Sequence, residues 1–321
     1  MREPRIRHFM RGLYQPIVRK QFYLSDDAFS LLLMAPLFLW VAFTMVYPLI
    51  YGIQLSLSNQ RLIGLEGEFI GVKNFILVFG HPDFRSGIIK SLIWTFLTGT
   101  LWGGFGIFVG IMLQKTVFAR GAMRVWILFP WIIPVIAVAI LWKWLLSGTY
   151  GVVNYLLVKW GVIDVGLGFL SSPGTALEAS SFIGAWRGFP FLAIVVLAGL
   201  LSIPREEYEA ARIDGAGFWQ ELRFITLPYM KPTLTVLFLV GYMWAFNNFD
   251  LLWLINQGGP AGATRTLPLL VYEWAFRDYF LGRASAVGVV MLAVQTLFMI
   301  AYMRASRGTV GIFAPTEREA R

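Results

Sequence analysis

Four side chains suited to hydrogen bonding or ring stacking stand within seven residues of an otherwise apolar stretch: Trp244, Asn247, Asn248 and Asp250. Amide and carboxylate groups hydrogen-bond hydroxyls, and an indole ring stacks on an apolar ring face. These residues are therefore candidate contacts for a hydroxylated solute. Adjacent residues on a helix point about 100° apart, so Asn247 and Asn248 cannot both face it. We favour Asn248 and keep Asn247 as the alternative.

A second candidate region is the apolar stretch that contains Arg187 and Pro190. Proline removes a backbone hydrogen bond, which predicts a bent helix with carbonyl groups freed toward a cavity. Three interpretations are open for Arg187. It pairs with Asp250, it contacts an anionic solute, or its side chain extends to the outer lipid headgroups.

The composition indicates that these residues lie in a membrane protein. Hydrophobic residues make up 57% of the chain and charged residues 14%, against about 25% charged in soluble proteins. Six apolar stretches approach the roughly 20 residues that cross a bilayer. They cover about 28–53, 88–113, 125–146, 181–203, 232–256 and 284–303. We expect an all-α integral membrane fold with six transmembrane helices. In the second stretch, Gly99, Gly103, Gly106 and Gly110 are spaced for close helix packing.

Positive residues predict the orientation, because Lys and Arg near span ends are retained in the cytoplasm. With both termini inside, 17 of the 27 Lys and Arg residues lie on the inner side. This arrangement gives a cytoplasmic basic segment 1–27, a transmembrane domain 28–303 with a cytoplasmic loop 204–231, and a cytoplasmic tail 304–321. The net charge of +9 is concentrated beside the apolar spans, which favours anionic membrane lipid over nucleic acid as its partner. We expect a multi-pass protein of a bacterial or archaeal cytoplasmic membrane.

Several enzyme classes are not supported by the sequence. The chain has no cysteine and two histidines, which excludes thiol chemistry and cysteine-based metal sites. It contains no G-x-x-x-x-G-K-[ST] phosphate loop and no Ser/His/Asp or H-E-x-x-H pattern. We expect a non-catalytic subunit without catalytic residues, metal or cofactor, so that any ATP would be bound by another subunit.

Residues 203–231 form an unusually charged segment between two apolar spans, with nine charged residues in 29. Pro204 suits a helix start and Gly215 a helix end, which predicts a short helix over 204–214. A second helical stretch is expected over 218–226, ending before Leu227-Pro228. Small residues leave the backbone open to close approach by a partner. The candidate docking residues are Tyr208, Glu209, Ala210, Ala211, Asp214 and Gly215.

Two motifs resemble one known family. Glu209-Ala210-Ala211, Asp214-Gly215-Ala216 and Ile225-Thr226-Leu227-Pro228 look like the EAA loop of ABC importer permeases. Gly258-Gly259-Pro260, followed by Thr264, Tyr272, Ala275-Phe276, Gly282 and Ala284-Ser285-Ala286, resembles the segment before the last span of maltose-type sugar permeases. The two motifs cover the C-terminal half of the chain, from about Trp186 to Ala286.

The resemblance implies the permease subunit of a type I, binding-protein-dependent sugar importer. In that family an external binding protein delivers the sugar and two related permeases enclose one path. A cytoplasmic ATPase dimer receives the coupling helix of the EAA loop. The expected substrate is a di- or oligosaccharide or a polyol. The alternative is a stand-alone secondary carrier or channel for a small polar solute.

The resemblance also implies four contacts with the sugar: Trp131, Gly188, Phe191 and Asn248. With the candidates taken from the residues alone, the complete predicted set is Trp131, Arg187, Gly188, Phe191, Trp244, Asn247, Asn248 and Asp250.

Overall fold

The computed structural model describes residues 26–64, 67–115 and 120–306. Most of the basic N-terminal segment and of the C-terminal tail falls outside these ranges. The chain divides into two compact units between Tyr51 and Gly52, and each is described by itself.

The first unit is an apolar helical rod. It contains α1 (Asp26–Val41), a π-helical segment (Ala42–Val46) and the first half of α2 (Tyr47–Ser56). The span Phe29–Ser56 has 28 residues, long enough to cross a bilayer. Phe43, Tyr47 and Tyr51 stack along one side of this rod, as expected for aromatic residues spaced four apart.

The second unit is helical throughout the part of it that the structure describes. Its elements in chain order are α3 (Lys73–Gly80), α4 (Pro82–Lys115), α5 (Arg120–Ile132), α6 (Val135–Leu145), α7 (Val152–Lys159), α8 (Ala176–Leu201), α9 (Arg205–Ile213), α10 (Phe218–Glu221), a π-helical segment (Leu222–Thr226), α11 (Leu227–Phe246), α12 (Asp250–Asn256), α13 (Leu267–Tyr272), a π-helical segment (Glu273–Arg277) and α14 (Leu281–Ala305). With the first span, these helices supply five continuous candidate membrane spans and one broken span.

The predicted third span is not continuous. The helix axis turns by 91° between Gly121–Ile132 and Val135–Leu145. Pro134 has an extended backbone (ψ 137°) and stands immediately before α6. A proline also disfavours helical backbone in the residue before it, so Ile133 and Pro134 together end one helix and begin another. The span predicted over about 125–146 is therefore present as two helices joined at a bend.

The predicted fifth span is also different. Its helix begins far earlier than residue 232, because α10, the π-helical segment and α11 follow one another as a 29-residue helix, Phe218–Phe246. A π-helical turn changes the hydrogen-bonding register, which lets the helix continue into Pro228. At the other end the helix stops at Phe246, and α12 begins at Asp250. The expectations of a break before Leu227 and of a span reaching 256 are both wrong.

Helices α4, α8 and α11 form the centre of the second unit, and glycines set their spacing. A Cβ added at Gly106 or Gly110 would overlap side chains of α8, namely Leu192 and Val196. A Cβ at Gly99 or Gly103 would overlap Tyr242 and Phe238 of α11 in the same way. The close-packing role predicted for these four glycines is confirmed.

Candidate functional site

Three aromatic side chains from three helices meet in one row. The ring of Phe191 on α8 lies 5.8 Å from Trp131 at the end of α5, and 5.9 Å from Trp244 near the end of α11. Trp131 is 46% exposed and Trp244 60%, so both indoles present surface beyond the contact. All three residues belong to the predicted set, and the structure brings them together. Such a row can stack against the apolar face of a ring.

The break in the third span explains where Trp131 stands. It lies in the last turn of α5, and only Ile132 stands between it and the two residues that separate α5 from α6. Non-helical backbone at membrane depth is tolerated only where it is buried in protein or lines a cavity. The position of the bend therefore fits a solute path beside the aromatic row.

The two adjacent asparagines have different environments. The Asn247 Nδ2 donates to its own helix at the Met243 carbonyl (3.0 Å). Asn247 also lines a cavity of about 340 Å³ beside α13 and α14. The Oδ1 of Asn248 is buried and has no hydrogen-bond partner among the residues described. Asn248 therefore has a buried acceptor that is available for a ligand hydroxyl, whereas the Asn247 amide already bonds to its own helix through Nδ2.

Arg187 and Asp250 do not form the ion pair that one interpretation allowed. Asp250 is exposed at the first residue of α12, and no ion pair within the described ranges joins it to Arg187. The Arg187 side chain is half-buried, and its Nε is fully buried without a hydrogen-bond partner. A cationic nitrogen that is buried without a partner is unfavourable.

Gly188 has a packing contact. A Cβ added at this position would come within 2.8 Å of Cδ1 of the Trp102 indole. Gly241 on α11 also lies against this indole, so Trp102 fills the space between α8 and α11. A larger residue at Gly188 would push Trp102 away and change the separation of the two helices that carry Phe191 and Trp244.

Sequence reasoning missed Thr98 on α4. Its Oγ1 is buried and has no hydrogen-bond partner in the described part of the chain. The Thr98 methyl lies against Gly184 of α8, and Leu251 of α12 reaches the same glycine. A threonine in an apolar helix usually bonds to its own backbone, so its sequence gave no signal of an unused hydroxyl.

The charged segment folds back on the transmembrane core. Tyr208 and Ala211 on α9 pack against the buried cluster that includes Val196, Leu200 and Met230. The Tyr208 hydroxyl lies 3.0 Å from the Thr226 hydroxyl. These contacts fix one face of α9. The short helix predicted over 204–214 is present with bounds Arg205–Ile213.

An ion pair closes the turn after α9. The Arg212 Nε donates to the Glu221 carboxylate at 2.7 Å, and this hydrogen bond raises the pKa of Arg212. Gly215 occupies the left-handed backbone region (φ 83°) between the two partners, where a residue with a Cβ would be strained. The ion pair and the left-handed glycine therefore both stabilise this chain reversal.

The outer face of this segment remains open. The predicted docking residues that are exposed on it are Glu209, Ala210, Asp214 and Gly215. Two apolar residues that sequence reasoning missed accompany them, Ile213 at 86% exposure and Trp219 at 75%. Their signal was present in the sequence as large apolar side chains within a charged loop.

A polar cluster fixes the segment around Gly258-Gly259-Pro260. Arg265 forms ion pairs with Asp83 (3.1 Å) and Glu273 (2.9 Å), and the Lys90 Nζ donates to the Gly262 carbonyl at 2.7 Å. Burial raises the pKa of Glu273, although Arg265 and Arg277 oppose the shift. The cluster connects this loop to the start of α4. No group of acidic or histidine side chains in the described ranges could hold a metal.

Comparison with known proteins identifies the family. A model of the binding-protein-dependent transport system inner membrane components matches residues 102–309. The chain belongs to this family, which makes it a multi-pass permease subunit of an ABC importer. The resemblance seen in the two sequence motifs is thereby confirmed.

Three known proteins are similar to this chain over most of its length. A trehalose/maltose transport system permease of Thermococcus litoralis is 30% identical, over 86% of this chain and 92% of its own. A sulfoquinovosyl glycerol transport system permease of Agrobacterium fabrum is 32% identical, over 88% and 92%. A crystal structure of a bacterial importer of the acidic polysaccharide alginate superposes with a TM-score of 0.77 at 24% identity, covering 88% of this chain and 96% of that one. The last match establishes the fold.

Proposed function

We propose that this permease subunit carries a saccharide, and that the row of Trp131, Phe191 and Trp244 forms half of its path. The meeting of these rings is the observation that carries the proposal. The unsatisfied acceptor of Asn248, four residues after Trp244 in the chain, adds a hydrogen-bonding group. A sugar presents apolar ring faces for stacking and hydroxyls for hydrogen bonding. The names of the two relatives, both permeases for sugar-containing solutes, support the same substrate class.

A second, related permease would complete the path as a heterodimer. The proposed half-site is open on the exposed sides of Trp131 and Trp244, which leaves room for contacts from another subunit. An extracytoplasmic binding protein would deliver the saccharide. The segment around Gly258 to Thr266 is fixed to α4 by the Arg265 and Lys90 contacts, and a rigid loop is suited to docking.

An ATPase dimer would dock on the outer face of α9. This face combines Glu209 and Asp214 with the exposed Ile213, and the exposed Trp219 follows on α10. Apolar anchors surrounded by polar groups are typical of protein interfaces. The opposite face is packed on the transmembrane core. Movement of the docked ATPase would therefore reach the helices of the path. The positive residues favour a cytoplasmic location for this segment.

The experiment uses the complete importer, reconstituted in liposomes with its second permease, ATPase and binding protein. We expect Glu209→Lys and Gly215→Asp to abolish co-purification of the ATPase, or to leave ATP hydrolysis uncoupled from uptake. The first reverses a charge on the docking face, and the second strains a left-handed residue. Glu178→Lys makes the same charge change in the first turn of α8 and serves as the matched control.

Retention of the ATPase and of coupled uptake in both variants would refute docking at this face. Uptake that proceeds under an ion gradient without ATP would refute the coupled mechanism and favour a stand-alone carrier.

A further inference from the structure

We propose that the transported saccharide is an acid, and that Arg187 binds its carboxylate or sulfonate group. This inference rests on the proposed function, since it takes the aromatic row as the wall of the saccharide path. It assigns the substrate a charge, which the stacking residues alone do not define.

The position of Arg187 argues against contact with lipid headgroups. It is the twelfth residue of the 26-residue helix α8. At about 1.5 Å per residue, its Cα lies about 16 Å from the first residue of the helix and about 21 Å from the last. A side chain that snorkels to the interface starts near a helix end. Arg187 stands near the middle, and its Nε is fully buried.

The structure also supplies no counter-charge. The ion pairs found within the described ranges involve Asp83, Glu221 and Glu273 as the acidic partners, and none of them includes Arg187. A cation held in a low-dielectric region without an anionic partner is strongly unfavourable. In membrane spans such residues are retained for a pathway or a ligand. The missing partner is therefore assigned to the solute.

The neighbours of Arg187 suit an acidic sugar ring. Phe191 follows it by four residues, so the two side chains lie on the same face of α8, and Phe191 is the central ring of the aromatic row. An arginine fork binds the two oxygens of a carboxylate in a fixed plane. One sugar unit could thus place its acidic group on Arg187 and its ring against the aromatic row.

Two further unsatisfied atoms belong to Thr98 on α4 and to Asn248, which stands between α11 and α12. Gly184 precedes Arg187 by three residues, and it lies against Thr98 of α4 and Leu251 of α12. The Thr98 hydroxyl and the side-chain amide oxygen of Asn248 have no protein partners in the described part of the chain. A hydroxyl donor and an amide acceptor suit the hydroxyls that accompany the acidic group.

The first experiment compares matched saccharides in the reconstituted importer. Uptake of cellobiouronic acid is measured against cellobiose, and digalacturonic acid against its neutral galactose counterpart. We expect uptake of acidic members to exceed that of neutral members at least tenfold. Equal or preferred uptake of the neutral members would overturn the acidic assignment while leaving the importer function intact. ATP-coupled uptake of no saccharide at all would overturn the proposed function itself.

The second experiment tests the residue. We expect Arg187→Gln to lower uptake of the acidic member about 10- to 100-fold, the usual effect of losing a charge-assisted hydrogen bond. Lys143→Gln, which removes an exposed cation of α6, should leave uptake unchanged. Unreduced uptake in Arg187→Gln would overturn the inference. Where this variant does not assemble, Arg187→Lys keeps the charge but loses the fork, and undiminished uptake in it would likewise contradict a role in binding.

Discussion

The proposed coupling segment, residues 203–231, and the proposed solute path treat their polar groups in opposite ways. In the coupling segment, Arg212 is paired with Glu221 and Tyr208 with Thr226, and the Gly217 N–H donates to the Gln220 side chain. In the path, polar atoms of Thr98, Arg187 and Asn248 are buried without protein partners. Both regions belong to the same compact unit and share helix α11.

This difference indicates what each region requires from outside. A segment whose polar groups are internally satisfied keeps its shape before any partner arrives, so docking on it costs little reorganisation. Buried groups without partners are unfavourable until something bonds them. The coupling segment is therefore already ordered for docking, while the proposed path is a half-site that the solute and a second subunit would complete.

The largest expected effect is in the aromatic row. Phe191→Ala removes the ring that touches both Trp131 and Trp244, and we expect uptake to fall by about tenfold to 100-fold. Phe108→Ala is the control, because Phe108 on α4 is exposed and lies outside the row. The assay is saccharide uptake per assembled complex in liposomes. Equal uptake in the two variants would remove the row from the path.

An intermediate effect is expected from the two adjacent asparagines. Asn248→Ala removes an acceptor that has no protein partner, and we expect uptake to fall about tenfold through a raised KM. Asn247→Ala removes a side chain that bonds to its own helix, and we expect less than a threefold change. The reverse order of the two effects would show that the solute faces Asn247.

The smallest effect is expected from the ion pair in the proposed coupling segment. Arg212→Ala, Glu221→Ala and the double variant form a cycle that measures coupling between the two side chains. We expect each single variant to lower the uptake per ATP hydrolysed several-fold, and the double variant to lose no more than either single one. Strictly additive losses would show that the ion pair does not hold the turn as a unit.

The sequence predicted which spans are present better than it predicted where their helices begin and end. Hydropathy located every candidate span, because the bilayer requires a long apolar stretch for each crossing. It did not locate the turn at Ile133 and Pro134, because apolar residues continue up to and beyond that position. It did not locate the end of α11 before Asn247, because the apolar stretch resumes directly after Asp250. Proline was a misleading signal at Pro228, where a π-helical segment precedes it and the helix continues.

Site residues were predictable by type but not by role. Trp131, Phe191 and Trp244 come from three distant parts of the chain, and residue type and family resemblance proposed them without showing that they touch. Sequence could not separate Asn247 from Asn248, since the difference lies in which atom finds a bond. Thr98 gave no signal at all, because its significance depends on a hydroxyl left without a partner by the packing of three helices.

Because Phe218–Phe246 is one continuous helix, a movement at one of its ends displaces the other end. Glu221, which holds the turn after α9, stands near one end, and Trp244 stands 23 residues further along the rod. At about 1.5 Å per residue the two are about 35 Å apart, so a tilt of about 5° at the Glu221 end displaces Trp244 by about 3 Å. The ring of Trp244 lies 5.9 Å from that of Phe191, and a displacement of this size would separate the rings. A small rotation of this helix would thus open or close the proposed contact with the solute.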